Sequence, residues 1–231
     1  MPAPQNTKSS TTTQPPRRAV VAGASGLIGR ALLPLLVADA GTSDVHALLR
    51  RKLPELDGRV QQHDIDYAAL ADTLPACDDA YCCLGTTIKV AGSEAAFRAV
   101  DFDAVLAFAR AARAAGATRL AVVSALGAST TSGVFYNRVK GEMEAAIATL
   151  GFEAVVIARP SLLTGDRAAL GQPTRFGERL GLWLTAPLGA LVPRSVRPIQ
   201  VARVAAAMIA ALHQARPGVR IVESGELQTL R

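Results

Sequence analysis

Glycines 23, 26 and 29 directly follow the short apolar run Ala19-Val20-Val21-Ala22 and open a helical pattern of Leu27, Ile28, Leu32, Leu33 and Leu36. Glycine at such a strand-to-helix turn lets the backbone bend tightly and approach a pyrophosphate, which the free amides of a helix N-terminus favour. The even spacing departs from the G-x-G-x-x-G fingerprint; a glycine-rich turn without a ligand is the plainer reading. Arg50 and Arg51 follow the second apolar run, Val45 to Leu49. An acid at that place would accept a bond from a ribose 2′-hydroxyl, whereas a guanidinium can hold a 2′-phosphate bidentately, so the pair predicts NADP(H) rather than NAD(H). Read without a ligand, both are solvated loop cations.

Tyr136 and Lys140 stand four apart, on one face of a helix. A tyrosine can deliver a proton to a carbonyl oxygen as hydride reaches carbon, and a neighbouring ammonium lowers its otherwise high pKa of about 10. Ser124, ending the preceding apolar run, supplies a hydroxyl to hold that carbonyl. Taken alone, a Tyr and a Lys at this spacing also fit an ordinary helix surface.

These residues need a scaffold that brings them to one edge. The chain alternates apolar runs with helical patterns: a weak strand from Arg59 to Ile65, a short helix over Tyr67 to Thr73, a continuous apolar strand Ala80 to Leu84, and an Ala-rich helix Glu94 to Ala114. A fifth strand follows at Arg119 to Ser124, then a helix Phe135 to Leu150 and a strand Ala154 to Ala158. Strands separated by such helices require crossovers, hence a doubly wound α/β parallel sheet whose ligand crevice lies at the carboxyl ends of the strands.

A chain of 231 residues, half of them hydrophobic, fits one such domain over 18–231, preceded by a Ser/Thr/Pro-rich tail, 1–17. The tail reads as disordered; its basic, acid-free character also fits a transit peptide, although its prolines oppose an amphipathic helix. Lys8, Arg17 and Arg18 account for half of the net charge of +6, so the rest is too mildly basic to predict nucleic-acid binding. Cys77, Cys82 and Cys83 show neither metal-ligand nor disulfide spacing and read as reduced core thiols of a cytoplasmic protein. His46, His63 and His213 are scattered, and no metal is expected. Leu180 to Pro193 is shorter than the roughly 20 apolar residues of a membrane span, and Gly181, Pro187 and Gly189 break it.

Gly23 to Gly29, Cys83 to Thr87, Val123 to Ala128, Tyr136 to Glu142 and Arg159 to Ser161 occur in the order found in atypical short-chain dehydrogenase/reductases, and the chain resembles their Tat-interacting-protein-like, nucleoside-diphosphate-sugar-epimerase-like branch over about residues 18 to 215. The resemblance implies a Rossmann fold with a small C-terminal substrate or lid region, 162–200. It implies that Gly23, Ser25, Gly26, Leu27 and Ile28 surround the pyrophosphate, Arg50 and Arg51 the 2′-phosphate, and Asp64 with Ile65 the adenine. Leu84, Gly85 and Thr86 would line the nicotinamide side, with Pro160 and Ser161 flanking the ring. Lys140 would bond the nicotinamide ribose, with Tyr136 as acid/base and Ser124 as its partner. Two departures stand out: Asp101 occupies the place where many members carry asparagine, and the stretch after Arg159 is too short for a full epimerase substrate domain.

Two function classes follow. One is an NADPH-dependent reductase of a small carbonyl compound; the other is a non-catalytic NADP(H)-binding regulatory or assembly protein. No substrate is named by the sequence, and monomer and homodimer stay equally open. The apolar segment Phe176 to Val192, with Trp183, calls for a cover: a lid over the cleft, a second subunit, a peripheral membrane contact, or core packing.

Overall fold

The computed structural model describes residues 15–67, 70, 74–165 and 193–230. Strands β1 (Arg17–Ala22), β2 (Thr42–Leu49), β3 (Val60–Asp64), β4 (Asp79–Cys82), β5 (Arg119–Val123) and β6 (Ala154–Arg159) run where the apolar runs placed them, within a few residues at their ends. A small separate pair, β7 (Leu163–Thr164) and β8 (Ile199–Gln200), and a further strand β9 (Gly218–Glu223) complete the strands among the described residues. The main sheet has seven strands, every pair parallel, in the order β3-β2-β1-β4-β5-β6-β9. This is the Rossmann order, in which the chain reverses direction across the sheet between β1 and β4. The seventh strand was not expected from the sequence.

Helices cover both faces, and this explains why the strands read as unbroken apolar runs. Ala19 and Val21 pack among α1 (Leu27–Ala38) and α6 (Val201–His213), while Val20 and Ala22 face α4 (Val105–Ala114) and α5 (Phe135–Ala148). Successive strand side chains alternate faces, so one tetrapeptide serves two cores. The short helices α2 (Ile88–Ala91), α3 (Glu94–Arg98) and α7 (Ser224–Leu227) complete the α-helices among the described residues.

The expected Glu94–Ala114 helix is three segments: α3, a π-helical stretch Ala99–Ala104, and α4. An Ala-rich pattern stays amphipathic through a local widening of the helix, so periodicity does not register it. Gly116, at φ +106°, ends the helix as its position implied. Most of the helix expected over Tyr67–Thr73, the segment 176–192 with Trp183, and nearly all of the tail lie outside the described residues. Among the described residues no helix is long and apolar enough to cross a membrane.

Candidate functional site

The loop after β1 is shaped by contacts that admit no side chain. Gly23 has φ +73°, and a Cβ there would lie 2.6 Å from the Cys83 carbonyl; one on Gly29 would lie 2.3 Å from the Gly23 oxygen. The Gly26 amide donates to the Gly23 carbonyl at 2.9 Å, closing the turn. Gly26 caps α1 without a side chain, and the first turn carries no acid. The amides of Leu27 and Ile28 therefore face outward at a positive helix end, a setting that accepts a phosphate. The Gly23 amide itself donates to the Tyr67 hydroxyl oxygen at 3.1 Å. Burial pushes that phenol up to about 12, so it stays neutral.

Beside this loop, Arg50 and Arg51 are exposed immediately after β2, and Asp64 ends β3 opposite Leu49. The Ile65 amide donates to the Leu49 carbonyl at 2.9 Å, which carries the third strand's exit alongside the two arginines. Ser25 is exposed at the loop tip, where its carbonyl accepts from Arg30.

A cavity of about 470 Å³ opens next to Gly26, Leu27 and Ile28. Its walls include Leu84, Gly85 and Thr86 after β4, Ser124 after β5, Tyr136 and Lys140 from α5, and Pro160 and Ser161 after β6. Residues from five strand or helix ends thus meet at the carboxyl edge. Gly23, Ser25, Arg50, Arg51, Asp64 and Ile65 do not line this cavity; they lie along the same edge toward β3.

Three features give the cavity chemical character. The Ser124 Oγ is buried without a hydrogen-bond partner. Lys140, buried, forms an ion pair of 2.8 Å with Asp101 and points Nζ at the Val123 carbonyl at 3.4 Å. Burial opposes the ammonium, but Asp101 and then Tyr136 outweigh it and raise the lysine above its ordinary value. The Tyr136 ring leans on Phe97, with centroids 5.2 Å apart.

Helix α5 can hold Tyr136 there because Gly141 lets it approach the loop after β5. A Cβ at 141 would lie 2.3 Å from the Ser129 carbonyl carbon, and the Ser129 amide donates to the Asn137 carbonyl at 3.0 Å. Ser161, expected to flank a ring, donates its hydroxyl to the Arg197 carbonyl at 2.5 Å and accepts from Ser224 at 2.9 Å, so it also ties the C-terminal segment to the cavity rim.

Sequence reasoning missed the roles of Tyr67 and Gly141. The three-residue glycine periodicity pointed only at 23, 26 and 29, and Tyr67 lies 44 residues from the amide it receives. Burial keeps the thiols protonated, pushing Cys77 up to about 11 and Cys82 up to about 12, and raising Cys83 as well.

The family described as NAD(P)H-binding matches residues 23–215. "Protein FMP52, mitochondrial" of Eremothecium gossypii is 34% identical over 219 residues, covering 92% of this chain and 96% of its own. "Protein HTATIP2" of Rattus norvegicus is 36% identical over 181 residues, covering 76% and 71%. Among solved structures, MoeE5 in complex with UDP-glucose and NAD aligns with a TM-score of 0.67 at 20% identity, covering 89% of this chain and 75% of that one. At that identity the likeness shows the fold alone. The relatives named mitochondrial, from several fungi, overturn the expectation of a cytoplasmic protein. The cysteine spacing on which that expectation rested does not distinguish one compartment from another.

Proposed function

From the premise that the chain belongs to the NAD(P)H-binding family, in the branch of atypical short-chain dehydrogenase/reductases that includes FMP52 and HTATIP2, we propose that it is an NADPH-dependent reductase of small carbonyl compounds. The observation that carries this reading is the buried, unpartnered Ser124 hydroxyl on the same cavity wall as Tyr136 and Lys140. A buried hydroxyl without a partner costs free energy unless a ligand completes it, and a substrate oxygen is the group that would do so.

The glycine loop and the first amides of α1 would hold the pyrophosphate, and Arg50 with Arg51 the 2′-phosphate. Asp64 and Ile65 would border the adenine, while Leu84, Gly85, Thr86 and Pro160 would line the nicotinamide side. The chemistry that such a dinucleotide would supply there is a hydride for the substrate carbon. Ser124 donates to the carbonyl oxygen and orients it; Tyr136 then gives that oxygen its proton. The Lys140 ammonium favours the phenolate that remains and so lowers the cost of the transfer. Leu126, Leu162 and Leu163 add apolar side chains to the cavity wall, which suits an uncharged carbonyl compound.

The test is a titration of NADPH and NADH followed by a screen of carbonyl compounds for NADPH oxidation. Tyr136→Phe is expected to keep NADPH affinity while turnover falls about 10²-fold or more. NADPH binding with no turnover of any carbonyl in the wild type would instead favour the non-catalytic class, in which the same cleft holds the dinucleotide as a regulatory ligand. Unchanged turnover in Tyr136→Phe would remove the tyrosine from the mechanism.

A further inference from the structure

Asp101 lies in the π-helical stretch between α3 and α4 and is completely buried, an expensive place for a carboxylate. One of its oxygens accepts from the Thr86 amide at 2.8 Å; the other faces the Lys140 ammonium at 2.8 Å. Both ends of the pair lie beside the loop after β4: a Cβ on Gly85 would lie 3.4 Å from Asp101 Oδ1 and 3.8 Å from Lys140 Nζ. π-Helical turns inside α-helices occur often at functional sites, where they re-aim one side chain.

We propose that Asp101 is a positioning residue of this site: its carboxylate keeps the Lys140 ammonium charged and fixed against the Gly85–Thr86 loop, acting on the cofactor only through the lysine. The proposal rests on the cofactor reading above and adds the residue that makes Lys140 usable in it. An ammonium as buried as this one sheds its proton unless a counter-charge stands beside it. Among the described residues, the titratable groups that act on Nζ are Asp101 from the π-helical stretch, Tyr136 from its own helix and Cys82 from β4. Burial keeps the thiol neutral, and the ion-paired carboxylate of Asp101 is the first of the influences that raise the lysine. Asparagine would match its shape and could not do this.

The experiment follows the ¹³Cε resonance of Lys140 between pH 6 and 9.5, together with NADPH affinity over the same range, in the wild type, Asp101→Asn and Asp101→Glu. In the wild type the resonance is expected to keep its ammonium position throughout, with NADPH affinity nearly flat. In Asp101→Asn the lysine is expected to titrate within the range, and NADPH affinity to fall at least tenfold between pH 7 and 9; Asp101→Glu restores the wild-type behaviour. A wild-type lysine that titrates below pH 9.5, or one that stays an ammonium in Asp101→Asn, overturns the proposal. If the wild type binds neither NADPH nor NADH, the cofactor reading fails, and the lysine titration still decides the role of Asp101. Should Asp101→Asn not fold, adding Lys140→Met is expected to restore folding by removing the orphaned charge. A double variant as unfolded as the single one would assign Asp101 to holding Thr86 and refute the proposal.

Discussion

The two edges of the sheet each bury a carboxylate, and they treat it differently. At the amino edge Asp79, 3% exposed, receives Arg17 at 2.9 Å and Arg119 at 2.7 and 2.5 Å. Arg17 also reaches the Asp78 carbonyl and the Thr118 hydroxyl, each at 2.9 Å, so the strand starts of β1, β4 and β5 are tied by a closed set of bonds. At the carboxyl edge Asp101 meets one ammonium and one amide, and the buried Ser124 hydroxyl of the same cavity has no partner. A buried polar cluster with every valence filled fixes geometry. One that leaves a valence open beside a cavity can still be completed there.

The sharpest way to break this contrast is Asp79→Ala. It leaves two arginines of the amino edge without their buried acceptor and is expected to cost about 3–5 kcal/mol in urea unfolding, with NADPH affinity of the folded fraction unchanged. A loss below about 1 kcal/mol would mean that the cluster is not the structural half of the comparison. Gly141→Ala probes the opposite edge through geometry. The added methyl meets backbone, so α5 must shift; a cost of about 1–3 kcal/mol is expected, with turnover falling more than NADPH affinity. Equal losses in both would show that the helix carries cofactor contacts and not chiefly the proton donor.

Arg50→Ala combined with Arg51→Ala tests whether the exposed cations serve a ligand. The wild type is expected to prefer NADPH over NADH at least tenfold, or about 1.4 kcal/mol, in calorimetry. The double variant should erase that preference while leaving NADH binding nearly unaltered. The smallest effect belongs to Asp78, whose carboxyl the Arg18 guanidinium holds down at about 2. Its folded value lies below its unfolded one, so its stabilising contribution is present above about pH 4 and fades as pH falls toward 2. Partial exposure limits this to about 1 kcal/mol, readable as a shallower acid limb of unfolding in Asp78→Asn.

Strands buried on both faces were legible because their apolar runs are continuous: Ala19–Ala22 and Ala80–Cys82 need no partner to be recognised. The strand Gly218–Glu223 was not legible. It is a sheet edge, with Val219 and Ile221 exposed and Arg220 paired to Glu226, so it carries neither a buried run nor a clean alternation. In the site, the glycine turn, Ser124, Tyr136 and Lys140 could be read because each depends on local spacing. Asp101 stood out only as a departure from asparagine, since its partner arrives through tertiary packing of two helices. The Tyr67 contact with Gly23 was invisible for the same reason.

Helix α6 closes one face of the sheet from far along the chain. Val204, Met208 and Leu212 share a single core with Leu32, Leu33 and Leu36 of α1, and β9 follows later still. During synthesis from the N-terminus, strands β1 to β6 can associate while that apolar face waits for residues 201–213 to leave the ribosome. The nascent protein therefore passes through a stage with a half-dressed sheet, and a stop codon placed before Val201 would yield a sticky product more suited to a chaperone than to a cofactor.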